Sequence, residues 1–107
     1  MSELTSFSDK AVSDVIEKED FELPPDKDVI FYNDNITTMD FVTDILISVY
    51  NKTREDATQL MLTVHNNGSA VVGTYTFDIA VSRVRLTREI AKKNGFPLRV
   101  EIEWYKR

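Results

Sequence analysis

The sequence predicts an α/β fold, a small sandwich of order β-α-α-β-α-β in which three helices pack on one face of a three-stranded antiparallel sheet. Three observations carry that prediction: an apolar run that breaks abruptly at Asn33-Asp34-Asn35, two stretches with helical apolar spacing followed by a third bounded by helix start and stop residues, and a C-terminal stretch alternating between apolar and charged residues. With 107 residues the chain can bury one modest core, so a single folded unit is expected.

Charge divides the chain before any element is placed. Residues 1–27 hold eight acids and three lysines, a net of −5, whereas residues 28–107 hold ten acids and ten bases. The expected organisation is therefore an acidic, flexible extension over 1–27 and a neutral core domain over 28–107. Val12, Val15, Ile16 and Glu19 allow a turn or two of amphipathic helix, which is marginal in isolation. The extension reads either as a solvated tail or as a segment that docks on a partner.

Val29, Ile30, Phe31 and Tyr32 are consecutive β-branched or aromatic residues, the pattern of a strand buried on both faces. Asn33, Asp34 and Asn35 end it, because their side chains bond nearby backbone and favour turns. Thr37 and Asp40 have the spacing of a helix N-cap and its third residue, so a helix is expected over 38–50. Met39, Phe41, Val42, Ile45, Leu46 and Val49 give it a broad apolar face, with Met39 and Val42 on one side. Thr53 and Asp56 open a second helix, which Gly68 closes. Within it Met61, Val64 and His65 share a face.

Residues 69–75 read as a second strand in which Gly73 marks a bulge or the close approach of another backbone. Thr76 and Asp78 suit the start of a third helix over 78–94, ended by Gly95 and Pro97. Its Arg83, Arg85, Arg88, Lys92 and Lys93 can touch RNA, but in a charge-balanced core they read better as a solvated face. In the last strand Leu98, Val100, Ile102 and Trp104 alternate with Arg99, Glu101 and Glu103, placing one face in the core and the other in water.

The same residues exclude several functions. There is no cysteine, hence no disulfide framework and no thiolate metal site. A single histidine, His65, gives no zinc set, and the three glycines stand apart rather than forming a phosphate loop. No apolar run reaches the ~20 residues of a membrane span, and the first ten residues lack a signal-peptide core, so a cytoplasmic location is expected. An acidic extension on a neutral core argues against nucleic acid as a partner. The remaining constellation is a polar Asn-Asp-Asn-x-Thr loop beside two helices that carry Met39, Met61 and His65. It suggests an apolar pocket rimmed by hydrogen-bonding groups.

The runs VIFYNDNITTMDFV, ATQLMLTVHNNGSAVVGTYTFDIA and FPLRVEIE resemble the ClpS family, adaptors that deliver N-degron substrates to a Clp ATPase and its protease; the likeness covers about residues 28–104. The resemblance implies a non-enzymatic protein without cofactor or metal, in which an apolar pocket takes the substrate's first residue, Leu, Phe, Tyr or Trp. It assigns Asn33, Asp34, Asn35, Thr37 and His65 to the polar groups that hold the free amine. Phe31, Met39, Val42, Met61, Val64 and Leu98 fall to the apolar lining, with Met39 screening out β-branched first residues. Asp78 and Arg83 match positions that dock on the N-terminal domain of a ClpA- or ClpC-type ATPase, and the extension matches a segment that engages the ATPase during hand-off. A monomer is expected.

Two positions depart from the family pattern. Asn35 stands where an aspartate is usual, which removes a carboxylate near the bound ammonium, and Thr38 stands where proline is common. The adaptor reading therefore has a rival: a ClpS paralogue that docks on the ATPase and regulates substrate choice with weakened or altered N-degron binding. A more distant rival is a small hydrolase that uses Asp34 and His65.

Overall fold

In the computed structural model, which describes residues 26–104, six elements follow in order. They are β1 (Lys27–Tyr32), α1 (Met39–Ser48), α2 (Arg54–Asn67), β2 (Ser69–Tyr75), α3 (Phe77–Lys93) and β3 (Arg99–Trp104). The expected flexible extension over 1–27 lies outside the described residues except for Asp26 and Lys27, and Lys27 already belongs to β1.

The strands form one antiparallel sheet in the order β2-β1-β3, so the first strand is central. Val29 and Phe31 are fully buried beneath the helices, but Ile30 and Tyr32 are only half-buried. The expectation of burial on both faces is thus corrected: the helices cover one side, and the other meets water. Cross-strand polar pairs finish that outer side. Thr74 donates to Asp28 at 2.8 Å, and the Arg99 guanidinium lies 4.2 Å from the centre of the Tyr32 ring.

The inner face of the sheet supplies Val29, Phe31, Val72 and Val100 to a core completed by Val42, Ile45, Leu46 and Val49 of α1 and its end, Ala57 and Val64 of α2, and Ala80, Val84 and Ala91 of α3. Each large apolar side chain so buried contributes about 1.5–3 kcal/mol. Phe31 meets Tyr50 edge-on at 5.5 Å between ring centres. The Tyr50 hydroxyl lies 2.9 Å from Thr87 Oγ1, whose own proton goes to the Arg83 carbonyl at 2.8 Å, so Tyr50 is the donor. Burial pushes the Tyr50 phenol up to about 12, and this bond ties the end of α1 to the middle of α3.

Local chemistry sets the ends of the elements. Thr53 caps α2 by accepting from the Asp56 amide at 3.1 Å, and Gly68 closes it in the left-handed region at φ 93°. The β1–β2 register slips between Val29 and Ile30, where Gly73 and Val71 are the partners and Val72 is the extra residue of a bulge. A Cβ on Gly73 would strike the Tyr75 ring, so what approaches the glycine is a side chain rather than a backbone. Trp104, expected on the buried side of β3, is exposed, because it lies opposite Lys27 at the open end of the sheet.

Candidate functional site

The end of β1 and the start of α1 are joined by a loop organised around one carboxylate. Asp34 Oδ1 accepts from the Ile36 and Thr37 amides at 2.8 and 2.7 Å, and Oδ2 accepts from the Thr37 hydroxyl at 2.8 Å. The expected N-cap therefore moves by one residue. Thr37 is held by Asp34, and Thr38 caps α1 by accepting from the Phe41 amide at 3.1 Å. At the other side of the loop the Asn33 amide donates to the Gly68 carbonyl at 2.9 Å, pinning the loop to the end of α2.

Partial burial acts to raise the Asp34 pKa, but the bonds from Thr37 and Ile36 outweigh it and leave the carboxyl below its ordinary value. Asp34 is thus a fixed negative charge at neutral pH. Three of its roughly four lone-pair sites are occupied by the loop itself, which leaves about one for a ligand.

This loop and the facing surfaces of α1 and α2 enclose a pocket of about 360 Å3. It brings together Asn33, Asp34, Asn35, Thr37, Met39, Val42, Met61, Val64 and His65, along with Ile36 and Thr38. Val42 and Val64 form a buried apolar floor, Met61 is half-buried, and Met39 is 47% exposed at the mouth. Asn33, Asn35 and His65 are exposed, and among the described residues their side chains make no hydrogen bond. Such a pocket can take an apolar side chain on its floor and a polar or cationic group at its rim.

Two expected lining residues lie elsewhere. Phe31 and Leu98 are buried, Phe31 fully, and belong to the same core cluster as Val42 and Val64, but only the two valines reach the pocket surface. Conversely, Ile36 and Thr38 line it although the sequence singled out neither for this role. The signal for Ile36 was present, since an Asp at the head of a turn can hold the amides two and three residues on and so fixes the backbone there.

A second depression, of about 320 Å3, lies on the outer side of α3 and is lined by Val49, Asp78, Ile79, Ser82, Arg83 and Leu86. It contains both residues expected in a docking surface. Arg83 donates to the Val49 carbonyl, and Ile79 and Leu86 are 44% and 45% exposed. Among the described residues no group of three or more His, Cys, Asp or Glu is placed to hold a metal ion. No helix among them is long and apolar enough to cross a membrane.

Comparison with known proteins gives a consistent result. A family model described as ATP-dependent Clp protease adaptor protein ClpS matches residues 22–101. The chain is 48% identical over 92 residues to the ATP-dependent Clp protease adapter protein ClpS of Acetivibrio thermocellus, covering 83% of this chain and 93% of that one. It is 41% identical over 91 residues to the protein of the same name from Nitratidesulfovibrio vulgaris, covering 85% and 88%. Among solved structures, Agrobacterium tumefaciens ClpS2 bound to L-phenylalaninamide superposes with a TM-score of 0.74 at 32% identity, over 78% of this chain and all of that one.

Proposed function

The chain belongs to the ClpS family of ATP-dependent Clp protease adaptors, and on that premise we propose that it binds proteins whose first residue is Leu, Phe, Tyr or Trp and delivers them to a Clp-family ATPase for degradation. One observation carries the proposal: the pocket between α1 and α2 joins an apolar floor to a rim holding one fixed carboxylate and three polar side chains not otherwise engaged among the described residues. An N-terminal residue offers the matching chemistry, a cationic α-amine one bond from the carbon that bears the side chain.

The floor and the rim divide the work. Each buried CH2 contributes about 0.8 kcal/mol, so the floor favours Leu or Phe over Ala but is blind to the amine. Hydrogen bonds to a charged group contribute about 1.5–3 kcal/mol each, so Asp34, with the side-chain oxygens of Asn33 and Asn35, supplies the preference for a free amine. Met39 at the mouth crowds a branch at Cβ and so disfavours Ile and Val. L-Phenylalaninamide, the ligand of the Agrobacterium relative, is an amine beside a benzyl group, which supports this assignment.

In the same proposal, the depression around Asp78 and Arg83 receives the N-terminal domain of a ClpA- or ClpC-type ATPase, and the adaptor acts as a cytoplasmic monomer. The test is degradation of a Leu-first reporter by each ATPase with its protease. Addition of this protein should accelerate turnover of the reporter and leave a Gly-first reporter unchanged.

One observation favours a second reading. Asp34 is largely occupied by its own loop and Asn35 is neutral, so the rim offers a bound ammonium little free negative charge. A paralogue that docks on the ATPase and regulates other substrates would tolerate that. Asn35→Asp separates the two readings: it creates tight binding of a Leu-first peptide under the second and changes little under the first.

A further inference from the structure

A third concavity, larger than the α1–α2 pocket and the depression around Arg83, belongs to neither surface. It has a volume of about 470 Å3 and runs along α3 beside β3, lined by Phe77, Val81, Val84, Arg85, Arg88, Glu89, Lys92 and Ile102. The helical positions recur so that one face of α3 forms a wall, with apolar residues toward its start and three bases against one acid toward its end. Arg88 is partly committed, donating to the Val100 carbonyl at 2.6 Å and lying 3.7 Å from Glu101. Arg85 and Lys92 have no ion pair among the described residues.

We propose that the chain's own N-terminal segment, residues 12–23, docks in this groove. The first argument is where the segment ends. Lys27 pairs with Trp104 across the sheet, and its ammonium sits by the Trp104 ring and 5.8 Å from the Phe77 ring. Phe77 is itself a wall of the groove, so the chain enters the fold at the groove's mouth. From Phe77 to Lys92 the wall spans about 22 Å at 1.5 Å per residue, well within reach of the segment.

The second argument is complementarity. Residues 17–23 hold Glu17, Glu19, Asp20 and Glu22 against Lys18, and Val12, Val15, Ile16, Phe21 and Leu23 are interspersed apolar residues. The acids match Arg85 and Lys92, and the apolar residues match Phe77, Val81 and Ile102, of which Phe77 is 57% exposed. Tethering assists, since a short linker presents its segment at an effective concentration on the order of millimolar. A docked segment is withheld from any other partner until it is displaced, which makes the groove a self-inhibitory contact. This inference does not depend on what fills the α1–α2 pocket.

The absence of cysteine makes a direct test available, because Ser13→Cys gives a single attachment point for a nitroxide spin label. In the labelled full-length protein, the amide signals of Val81, Arg85, Arg88 and Ile102 should be selectively lost, while those of Asn35, Met61 and His65 persist. High salt, or Arg85→Glu combined with Lys92→Glu in a protein with an otherwise unchanged amide spectrum, should restore the lost signals. Absence of selective loss at the groove, or loss that survives charge reversal, would overturn the proposal. So would equal loss when isotope-labelled, nitroxide-free protein is mixed with nitroxide-bearing protein, since the contact would then join two copies.

Discussion

The α1–α2 pocket and the α3–β3 groove are built by opposite means. The pocket depends on a few short, directional bonds: one Asp34 carboxylate orders the Ile36 and Thr37 amides, and Thr38 starts the helix that brings Met39 and Val42 to the opening. The groove needs no loop at all, only one face of a long helix beside an edge strand, with its basic residues strung along it. A site of the first kind discriminates by geometry and is damaged by losing a single bond. A site of the second kind responds to net charge, so it is screened by salt and tolerates single changes.

The sharpest way to break this contrast is Asp34→Ala. It removes the fixed charge and the three bonds that shape the loop, so affinity for a Leu-first peptide should fall by about ten- to a hundredfold, from the 1.5–3 kcal/mol of a charged hydrogen bond. Calorimetric titration measures it, and spin-label contacts at the groove should be unchanged.

Next in size is the response to pH. Peptide binding should decline as pH rises through the α-amine pKa of about 7.7–8.0, where the ligand loses its charge. The acid limb is set by Asp34. Its folded pKa lies below the ordinary 3.8, so its contribution to stability is complete above that value and is lost as pH falls through the depressed folded one. Affinity profiles against pH at constant ionic strength check both limbs.

Met39→Ala is smaller and more selective. Clearing the mouth should admit Ile-first and Val-first peptides, while Leu-first peptides lose about 1 kcal/mol of apolar contact. Competition between Leu-first and Ile-first peptides reads that change directly. Tyr50→Phe should cost about 1 kcal/mol in denaturant unfolding, since its bond to Thr87 joins the end of α1 to α3, yet leave peptide affinity unaltered, because Tyr50 does not line the pocket.

The fold was legible because its signals are local. Thr53 with Asp56, Gly68, and the alternation after Leu98 each mark an element end or face without help from the rest of the chain, and the ClpS-like order followed. The errors arose where tertiary context decides. The apolar run 29–32 says nothing of which face the helices leave open, and Ile30 and Tyr32 are consequently half-buried rather than core. Thr37 and Thr38 are chemically equivalent as caps, and only the reach of the Asp34 carboxylate selects the second. Phe31 and Leu98 could not be told apart from pocket residues, because core and pocket floor are made of the same side chains. The basic residues of α3 were visible as a helix face, but that they border a groove beside β3 follows only from packing.

The central claim is that the rim of the α1–α2 pocket reads a free amine while its floor reads the side chain beside it. Fluorescence anisotropy with one Leu-first peptide, its amine either free or acetylated, tests that claim most directly. The account predicts saturable binding of the free peptide and its loss on acetylation. Equal binding of both forms, or binding of neither by protein with a native amide spectrum, would contradict it.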